Sequence, residues 1–310
     1  MSKIKVMGHV PPDTDSTCAP IVYSWYLNTH RNKNSEPVIS GRMNNEATYV
    51  LNYFGVSAPR NIESFSEGDK VVLVDTNNPD ELAKGYDKAE VIEIIDHHKL
   101  AGLRTINPVN ITIRPYACTT TVIWDLMHED ARTSIPKDMA GLMLACIISD
   151  TLEFRSPTTT PYDVEVALRL AEISGVNIEE LAFGMFAAKS DLSSMSINQI
   201  LLTDHKDFEF SGKKYKLAVL ETTDPVQALS KINELKAEMI KIKQENDLEG
   251  VFFFVIDILN QEAKLIVNTD QEKAIAEKAF GIAWEGDYLT LPGIVSRKKQ
   301  IAPSIEKAVM

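Results

Sequence analysis

The sequence predicts an α/β protein with an N-terminal domain built on a mostly parallel sheet, followed by a smaller C-terminal α/β domain. The first 150 residues alternate between short apolar runs and helical patterns, which is typical of a parallel sheet with helices between its strands. Candidate strands are residues 3–7, 71–74 and 90–95, and candidate helices are residues 18–29 and 45–54. Because the apolar runs are short and continuous, we expect the strands to be buried on both faces of the sheet.

Side chains that can bind metals follow each of the three candidate strands. They are His9, Asp13 and Asp15 after the first strand, Asp75 after the second, and Asp96, His97 and His98 after the third. A further carboxylate, Asp150, closes the apolar run 142–149, whose length predicts a buried helix. Ligands of open parallel sheets bind just beyond the carboxyl ends of the strands. If the strands are neighbours, these side chains meet in one crevice.

The composition of this set indicates a site for two metal ions. Carboxylates that gather without bases repel one another, and divalent ions relieve the repulsion. Imidazole mixed with carboxylate suits manganese, cobalt, iron or zinc, whereas magnesium prefers oxygen ligands. The set contains more ligands than one ion needs, but it suits a site with two ions. Each segment alone has an ordinary explanation, namely an Asx turn, a helix cap or a histidine pair without a ligand. Their coincidence at four element ends favours the metal site.

The second half of the chain predicts a separate domain after a polar, serine-rich linker. We divide the chain into a first domain at residues 1–188, a linker at 189–199 and a second domain at 200–310. An amphipathic helix is predicted over residues 224–246, with Asp224 as its cap and its apolar side chains in the core. The other predicted elements are strands over 216–220, 251–259 and 263–268 and a helix near 271–280.

Charge and composition narrow the function further. The 44 acidic and 32 basic residues leave a net charge of −12, which argues against sequence-independent binding of nucleic acid. No run approaches the roughly 18 apolar residues of a membrane span. The three cysteines are widely spaced and predict a reducing compartment. We therefore expect a cytoplasmic protein that binds neither nucleic acid nor membranes. An anionic substrate remains compatible with this charge, because bound cations can invert the local sign.

Four motifs resemble those of one known family. His9-Val-Pro-Pro-Asp13-Thr-Asp15 and Asp96-His97-His98 resemble the DHH phosphoesterase superfamily. The run Ser296-Arg297-Lys298-Lys299-Gln300 is similar to the C-terminal signature of family II (manganese-dependent) inorganic pyrophosphatases, and residues 204–208 resemble that family's substrate-lysine segment. The length and the order of the motifs match as well, so the resemblance covers essentially the whole chain.

The resemblance implies a role for each of these residues. It implies one metal held by His9, Asp13, Asp75 and Asp150 and a second held by Asp15, Asp75, His97 and Asp150. Pyrophosphate would be bound by His98, Lys206, Arg297 and Lys298, and the catalytic group would be His98, Asp75, Lys206 and Arg297. Asp96 would orient a histidine.

The implied activity is hydrolysis of inorganic pyrophosphate to two orthophosphates by a hydroxide that bridges the two ions. The active site would lie in the cleft between the domains, which would close on the substrate. The implied cofactors are two Mn²⁺ or Co²⁺ ions, with Mg²⁺ arriving with the substrate, and the implied assembly is a homodimer. Two positions depart from the family pattern: Pro11 replaces a residue that is more often Asn or another small polar one, and Thr76 replaces a frequent His.

Three other functions fit the sequence less well than this one. A nuclease-type DHH enzyme would carry a glycine-rich GGGH-like motif, and the sequence contains none. An exopolyphosphatase is harder to exclude from the sequence, because its second domain is related. The dependence of the rate on polyphosphate length would distinguish it from a pyrophosphatase, whose closed site should prefer pyrophosphate. A regulatory protein that has lost catalysis is disfavoured, because every identified catalytic position is intact.

Overall fold

The computed structural model describes residues 3–310, and two compact units divide the chain after Ala188. Each unit has its own sheet. Within the described range, no helix combines the length and the apolar composition needed to cross a bilayer.

The first unit is built on a six-stranded sheet whose strands all pair in parallel. The strands are β1 (Ile4–Met7), β2 (Ser35–Ile39), β3 (Arg60–Asn61), β4 (Lys70–Val74), β5 (Glu90–Asp96) and β6 (Asn110–Ile113). Their spatial order is β3-β2-β1-β4-β5-β6, so the direction of chain progression reverses between β1 and β4. A reversal of this kind opens a crevice at the carboxyl edge. The predicted parallel sheet is confirmed, and the three predicted strands are neighbours.

Seven α-helices lie in the part of the first unit that the structure describes, and the last of them ends one residue beyond this unit. They are α1 (Thr14–His30), α2 (Asn45–Phe54), α3 (Thr119–Leu126), α4 (Glu129–Thr133), α5 (Lys137–Thr151), α6 (Pro161–Ser174) and α7 (Ile178–Lys189). Helix α1 begins four residues before its predicted start, because Asp13 caps it by accepting the N–H of Ser16. The predicted buried helix over 142–149 is the central part of α5.

Gly8 allows α1 to start close against the end of β1. A Cβ atom at this position would lie 2.3 Å from Cβ of Ser16 and 2.4 Å from its carbonyl oxygen, which is far inside van der Waals contact. Only glycine permits this approach, and it places the start of α1 directly beside the crevice edge.

The second unit contains a five-stranded mixed sheet. Its strands are β7 (Asp204–Phe210), β8 (Lys213–Thr222), β9 (Gly250–Asp257), β10 (Glu262–Ile266) and β11 (Leu289–Pro292), and its helices are α8 (Ile197–Leu201), α9 (Pro225–Leu229), α10 (Ile232–Glu245), α11 (Asp270–Phe280) and α12 (Ala302–Val309). The order is β11-β10-β9-β8-β7, with only β8 and β9 parallel. Apolar clusters cover both faces of the sheet.

The prediction of one helix over residues 224–246 is wrong. The chain forms α9, leaves helical geometry at Lys231 (φ −102°, ψ 16°) and resumes as α10. The hydroxyl of Ser230 donates to the carbonyl of Gln227 (2.8 Å), a local bond that competes with helix continuation. Val226 is 69% exposed, so its predicted place in the core is also wrong. The predicted cap is confirmed, because Asp224 accepts the N–H of Val226.

Candidate metal centre

His9 and Asp13 lie in the loop between β1 and α1. Oδ1 of Asp13 accepts hydrogen bonds from the backbone N–H of Ser16 (2.9 Å) and from its hydroxyl (3.0 Å). Oδ2 of Asp13 lies 3.4 Å from Nε2 of His9. Burial tends to raise the pKa of Asp13, but the contacts with His9 and Ser16 outweigh it and lower the pKa to about 2. Asp13 is therefore ionised. One of its oxygens caps helix α1, and the other faces His9.

Asp75 lies between two imidazoles. It follows β4 with a φ of 61°, a left-handed conformation that Asp adopts more readily than most residues. Its Oδ2 lies 3.6 Å from Nε2 of His9, and its Oδ1 lies 3.4 Å from Nε2 of His97. Two donors bonded to one ion at about 2.1 Å lie roughly 3–3.5 Å apart. Each oxygen of Asp75 is thus paired with a different imidazole at a separation close to that of two ligands of one ion.

His97 is oriented by a backbone carbonyl. Its Nδ1 lies 3.2 Å from the carbonyl oxygen of Tyr116. Because a carbonyl oxygen can only accept, Nδ1 carries the proton of this bond and Nε2 is left with a free lone pair. Burial lowers the pKa of His97, which favours the neutral form that binds metals.

Among the predicted metal ligands, two buried carboxylate oxygens have no hydrogen-bond partner in the part of the chain that the structure describes, namely Oδ1 of Asp15 and Oδ2 of Asp150. Asp15 lies in the first turn of α1, and Asp150 is the last residue but one of α5. Potential ligand atoms of Asp15, Asp150 and His97 all lie within 4.8 Å of one another. Buried polar atoms are almost always paired, and a cation would satisfy both oxygens.

Two carboxylates of this site, those of Asp75 and Asp150, are costly to ionise in the protein alone. Burial is the largest cause of the strongly raised pKa of both Asp75 and Asp150, followed by the negative charges of Asp15 and Asp13. A divalent cation reverses this balance, because it compensates the charges that would otherwise repel. The donor set of imidazoles and carboxylates suits Mn²⁺. These residues therefore fit a metal centre.

The structure brings all six sequence-predicted metal ligands together. They fall into overlapping groups whose ligand atoms lie within 4.8 Å of one another: His9, Asp13 and Asp75; Asp15, His97 and Asp150; and Asp75 with His97 and His98. Asp75 and His97 each belong to two of these groups. Which residue binds which ion stays a prediction.

Asp96 orients the histidines that follow it. Its Oδ1 accepts the backbone N–H of His97 (2.8 Å) and of His98 (3.0 Å) and lies 2.9 Å from Nδ1 of His98. The last contact raises the pKa of the half-exposed His98. Oδ2 of Asp96 accepts a 2.6 Å bond from the amide of Asn77, whose own oxygen accepts the N–H of Ala101. Asn77 thereby holds the loop after β5.

Like Asn77, Thr119 contacts a residue of the site but was not predicted from the sequence. Its hydroxyl donates to Oδ1 of Asp75 (3.0 Å), and its backbone N–H donates to Oδ2 of Asp15 (2.7 Å). In the sequence, Thr119 begins a run of three threonines at a helix start, a signal that is equally common where no ligand is nearby.

The two positions that depart from the family pattern lie close to the site. The hydroxyl of Thr76 donates to Oε2 of Glu81 (3.3 Å) and accepts the N–H of Asn78 (3.1 Å). Thr76 thus helps to hold the turn after Asp75. Pro11 follows a cis peptide bond from Val10.

In the second unit, Arg297 lies against the strand that carries Lys206. Nη1 of Arg297 is 2.7 Å from Oδ1 of Asp204, and Lys206 lies two residues further along the same edge strand, β7. Residues two apart on a strand point to the same face. Gln300 fixes the loop before Arg297, because its Oε1 accepts two N–H groups and its Nε2 donates to a carbonyl there. Lys298 is exposed.

Comparisons with known proteins define the class. Residues 3–147 match the DHH family, N-terminal domain, and residues 184–308 match the DHHA2 domain. The chain is therefore a DHH-family protein with a DHHA2 second domain. A Brevibacillus brevis protein named probable manganese-dependent inorganic pyrophosphatase is 41% identical over 304 residues, covering 98% of this chain and 97% of its own length. The manganese-dependent inorganic pyrophosphatase of Bacillus subtilis is 37% identical over 310 residues, covering 100% and 99%.

A solved structure agrees with these relatives. A Methanococcus jannaschii protein, described as a family II inorganic pyrophosphatase, superposes with a TM-score of 0.64 at 35% identity and covers 98% of this chain and 99% of its own. The chain belongs to the manganese-dependent, or family II, inorganic pyrophosphatase family.

Proposed function

We propose that this protein hydrolyses inorganic pyrophosphate to two orthophosphates with two divalent ions, Mn²⁺ or Co²⁺, held by the residues of the first unit. The observation that carries the proposal is the position of Asp75, whose two oxygens lie 3.4 and 3.6 Å from different imidazoles. Asp75 can therefore be shared by two ions. When bound, the ions lower the pKa of water to supply a nucleophile near neutral pH and neutralise the phosphoryl oxygens.

The first unit would hold the ions through six side chains and orient the substrate through a seventh. His9 and Asp13 would serve one ion, Asp15 and His97 the other, and Asp75 with Asp150 both. His98 would contact pyrophosphate: Asp96 engages its Nδ1, which leaves Nε2 for a phosphate oxygen, and its ring is half-exposed. The close grouping of His9, Asp13 and Asp75 and that of Asp15, His97 and Asp150 support the assignment to two ions.

The second unit would supply the cations that bind the phosphates. Lys206, Arg297 and Lys298 would stabilise the negative charge that grows as the leaving phosphate departs. Arg297 offers a planar fork for two phosphate oxygens, and the lysines offer mobile point charges. Pyrophosphate would bring Mg²⁺ with it, since the carboxylate ligands of the site already offset the charge of the two bound ions.

The experiment that tests the activity is phosphate release by metal-stripped protein after adding back Mn²⁺, Co²⁺, Mg²⁺ or Zn²⁺. Pyrophosphate, tripolyphosphate and a dinucleotide are compared as substrates. We expect fast hydrolysis of pyrophosphate with Mn²⁺ or Co²⁺ and little turnover of the others. A preference for tripolyphosphate would overturn the assigned substrate and favour a polyphosphatase.

We further propose that the two units close on the substrate, since ligands from one and cations from the other must reach the same pyrophosphate. Small-angle X-ray scattering of the Mn²⁺-loaded protein should show a smaller radius of gyration with a non-hydrolysable pyrophosphate analogue than without it. An unchanged radius of gyration at saturating analogue would refute closure. A homodimer stays a prediction, to be checked by light scattering.

A further inference from the structure

Glu46 lies buried where three helices of the first unit meet. It belongs to the first turn of α2 and is 0% exposed. Its Oε2 accepts a 2.7 Å hydrogen bond from the hydroxyl of Thr14 on α1 and another 2.7 Å bond from the hydroxyl of Ser149 on α5. One carboxylate oxygen therefore connects α1 and α5.

Both hydroxyl residues are direct neighbours of candidate metal ligands. Thr14 stands between Asp13 and Asp15, and Ser149 precedes Asp150. The N-terminal end of α1 and the C-terminal end of α5 thus carry three of the six predicted ligands and are joined through a single atom, Oε2 of Glu46.

We propose that Glu46 is a positioning residue of the metal centre, which sets the distance between the carboxylates of α1 and that of α5 by holding Thr14 and Ser149. The proposal rests on the metal centre proposed above. It adds to that centre a residue that binds no ion itself and acts through its neighbours.

Helix packing alone does not call for this arrangement. Helices α1 and α5 also meet through apolar residues and through Sγ of Cys146, which lies 3.7 Å from the carbonyl oxygen of Thr14. Burying a carboxylate costs free energy that an apolar side chain would not. What the carboxylate adds is directional: hydrogen bonds fix the rotation of each helix end, and partners that orient metal ligands commonly contribute about 10–100-fold to metal affinity.

The test measures the Kd for Mn²⁺ of the folded, metal-stripped protein by calorimetry in competition with a chelator. Glu46→Ala, Thr14→Val and Ser149→Ala should each raise the Kd by about 10–100-fold. Glu46→Gln should stay close to the wild-type Kd, because its amide oxygen can accept both hydroxyl bonds. Because Thr14 acts through Glu46, Thr14→Val combined with Glu46→Ala should cost little more than Glu46→Ala alone.

The matched control is Tyr23→Phe, which removes another hydroxyl-to-carboxylate bond of α1, the 2.8 Å contact with Glu93, and should keep the wild-type Kd. The visible absorption of bound Co²⁺ gives a second readout, since it reports ligand geometry and should change in Ser149→Ala but not in Tyr23→Phe. Ser149→Ala also removes the least volume, so it can be measured if Glu46→Ala fails to fold.

Variants that lower Tm but bind Mn²⁺ with the wild-type Kd would overturn the positioning role. Wild-type protein without Mn²⁺ affinity would instead overturn the metal centre.

Discussion

Arg297 and Asp204 form an ion pair in the second unit, with Nη1 of the arginine 2.7 Å from Oδ1 of the aspartate. The nitrogen is buried, and its N–H groups do not point at the oxygen, so the contact is electrostatic more than a directed hydrogen bond. The carboxylate is 55% exposed. A phosphate that binds Arg297 would therefore compete with Asp204, whose attraction to the arginine is already weakened by solvent.

The first prediction is that Asp204→Asn improves substrate binding. Removing the competing carboxylate should lower the KM for pyrophosphate by about 1.4- to fivefold, which corresponds to the roughly 0.2–1 kcal/mol of an exposed ion pair. The Kd for Mn²⁺ should not change. Steady-state kinetics at several salt concentrations checks this, and a KM that rises in Asp204→Asn would mean that the aspartate orients Arg297 for the substrate.

The second prediction concerns Asp75→Asn in the metal-free protein. Asparagine keeps the size of the side chain, tolerates the left-handed backbone at this position and removes one buried negative charge. We expect the metal-free variant to be more stable than wild type at neutral pH by about 0.5–2 kcal/mol. Mn²⁺ should stabilise the wild type and leave the variant nearly unchanged.

The effect should depend on pH in a defined direction. Burial and the neighbouring carboxylates raise the pKa of Asp75 above that of the unfolded chain, about 3.9. The folded protein therefore holds this proton more tightly than the unfolded chain, and the free energy of unfolding falls as pH rises from about 4 through the folded-state pKa. Urea unfolding at pH 5 and pH 8 should show the larger gain of Asp75→Asn at pH 8. An equal gain at both values would contradict this explanation.

Lys298→Ala should separate substrate binding from metal binding. The side chain is exposed and belongs to the second unit, so its loss should lower kcat/KM about 10–100-fold, as expected for a charge-assisted hydrogen bond. The Mn²⁺ content of Lys298→Ala after dialysis should equal that of the wild type. Asp75→Asn should instead lose both bound Mn²⁺ and activity. Equal loss of metal in Lys298→Ala would remove the proposed division of roles.

Much of the centre could be predicted because its ligands follow strands that are easy to recognise. The apolar run before Asp75 is buried and continuous, and the run before Asp96 ends in the buried residues Ile94 and Ile95. The edge strands β3 and β6 were not predicted, since they are short and largely exposed and carry no continuous apolar run. The helix break at Lys231 was missed because the apolar repeat continues across it.

Apart from Asp96, the residues that orient the ligands could not be predicted, because their role arises only from contacts between distant parts of the chain. Thr119 lies 44 residues from Asp75 in sequence and 104 from Asp15, and it bonds to both. Ordinary helix starts carry the same residue type. The metal ligands can be recognised from the local sequence pattern. The residues that hydrogen-bond to them depend on how α1, α3 and β4 pack together.

Thr119→Val tests such a partner directly. The substitution removes the hydroxyl that donates to Oδ1 of Asp75 and leaves the backbone N–H that donates to Asp15. We expect the Kd for Mn²⁺ to rise about tenfold, because Oδ1 loses the group that orients it. Thr119→Ser retains the hydroxyl and should bind Mn²⁺ like the wild type. If both variants weaken binding equally, packing at this position matters and the hydrogen bond does not.

Asn77→Ala should loosen the loop after β5. The amide of Asn77 donates to Oδ2 of Asp96 and to the carbonyl of Lys99, and its oxygen accepts the N–H of Ala101, so alanine leaves three polar groups without this partner. We expect a loss of about 2–4 kcal/mol in the free energy of unfolding of the metal-free protein. Hydrogen exchange should quicken at residues 97–101. The control is Asn198→Ala, which removes an exposed amide bond to Glu238 and should cost less than about 0.5 kcal/mol. A loss in Asn77→Ala no larger than in the control would show that the loop keeps its conformation without the amide.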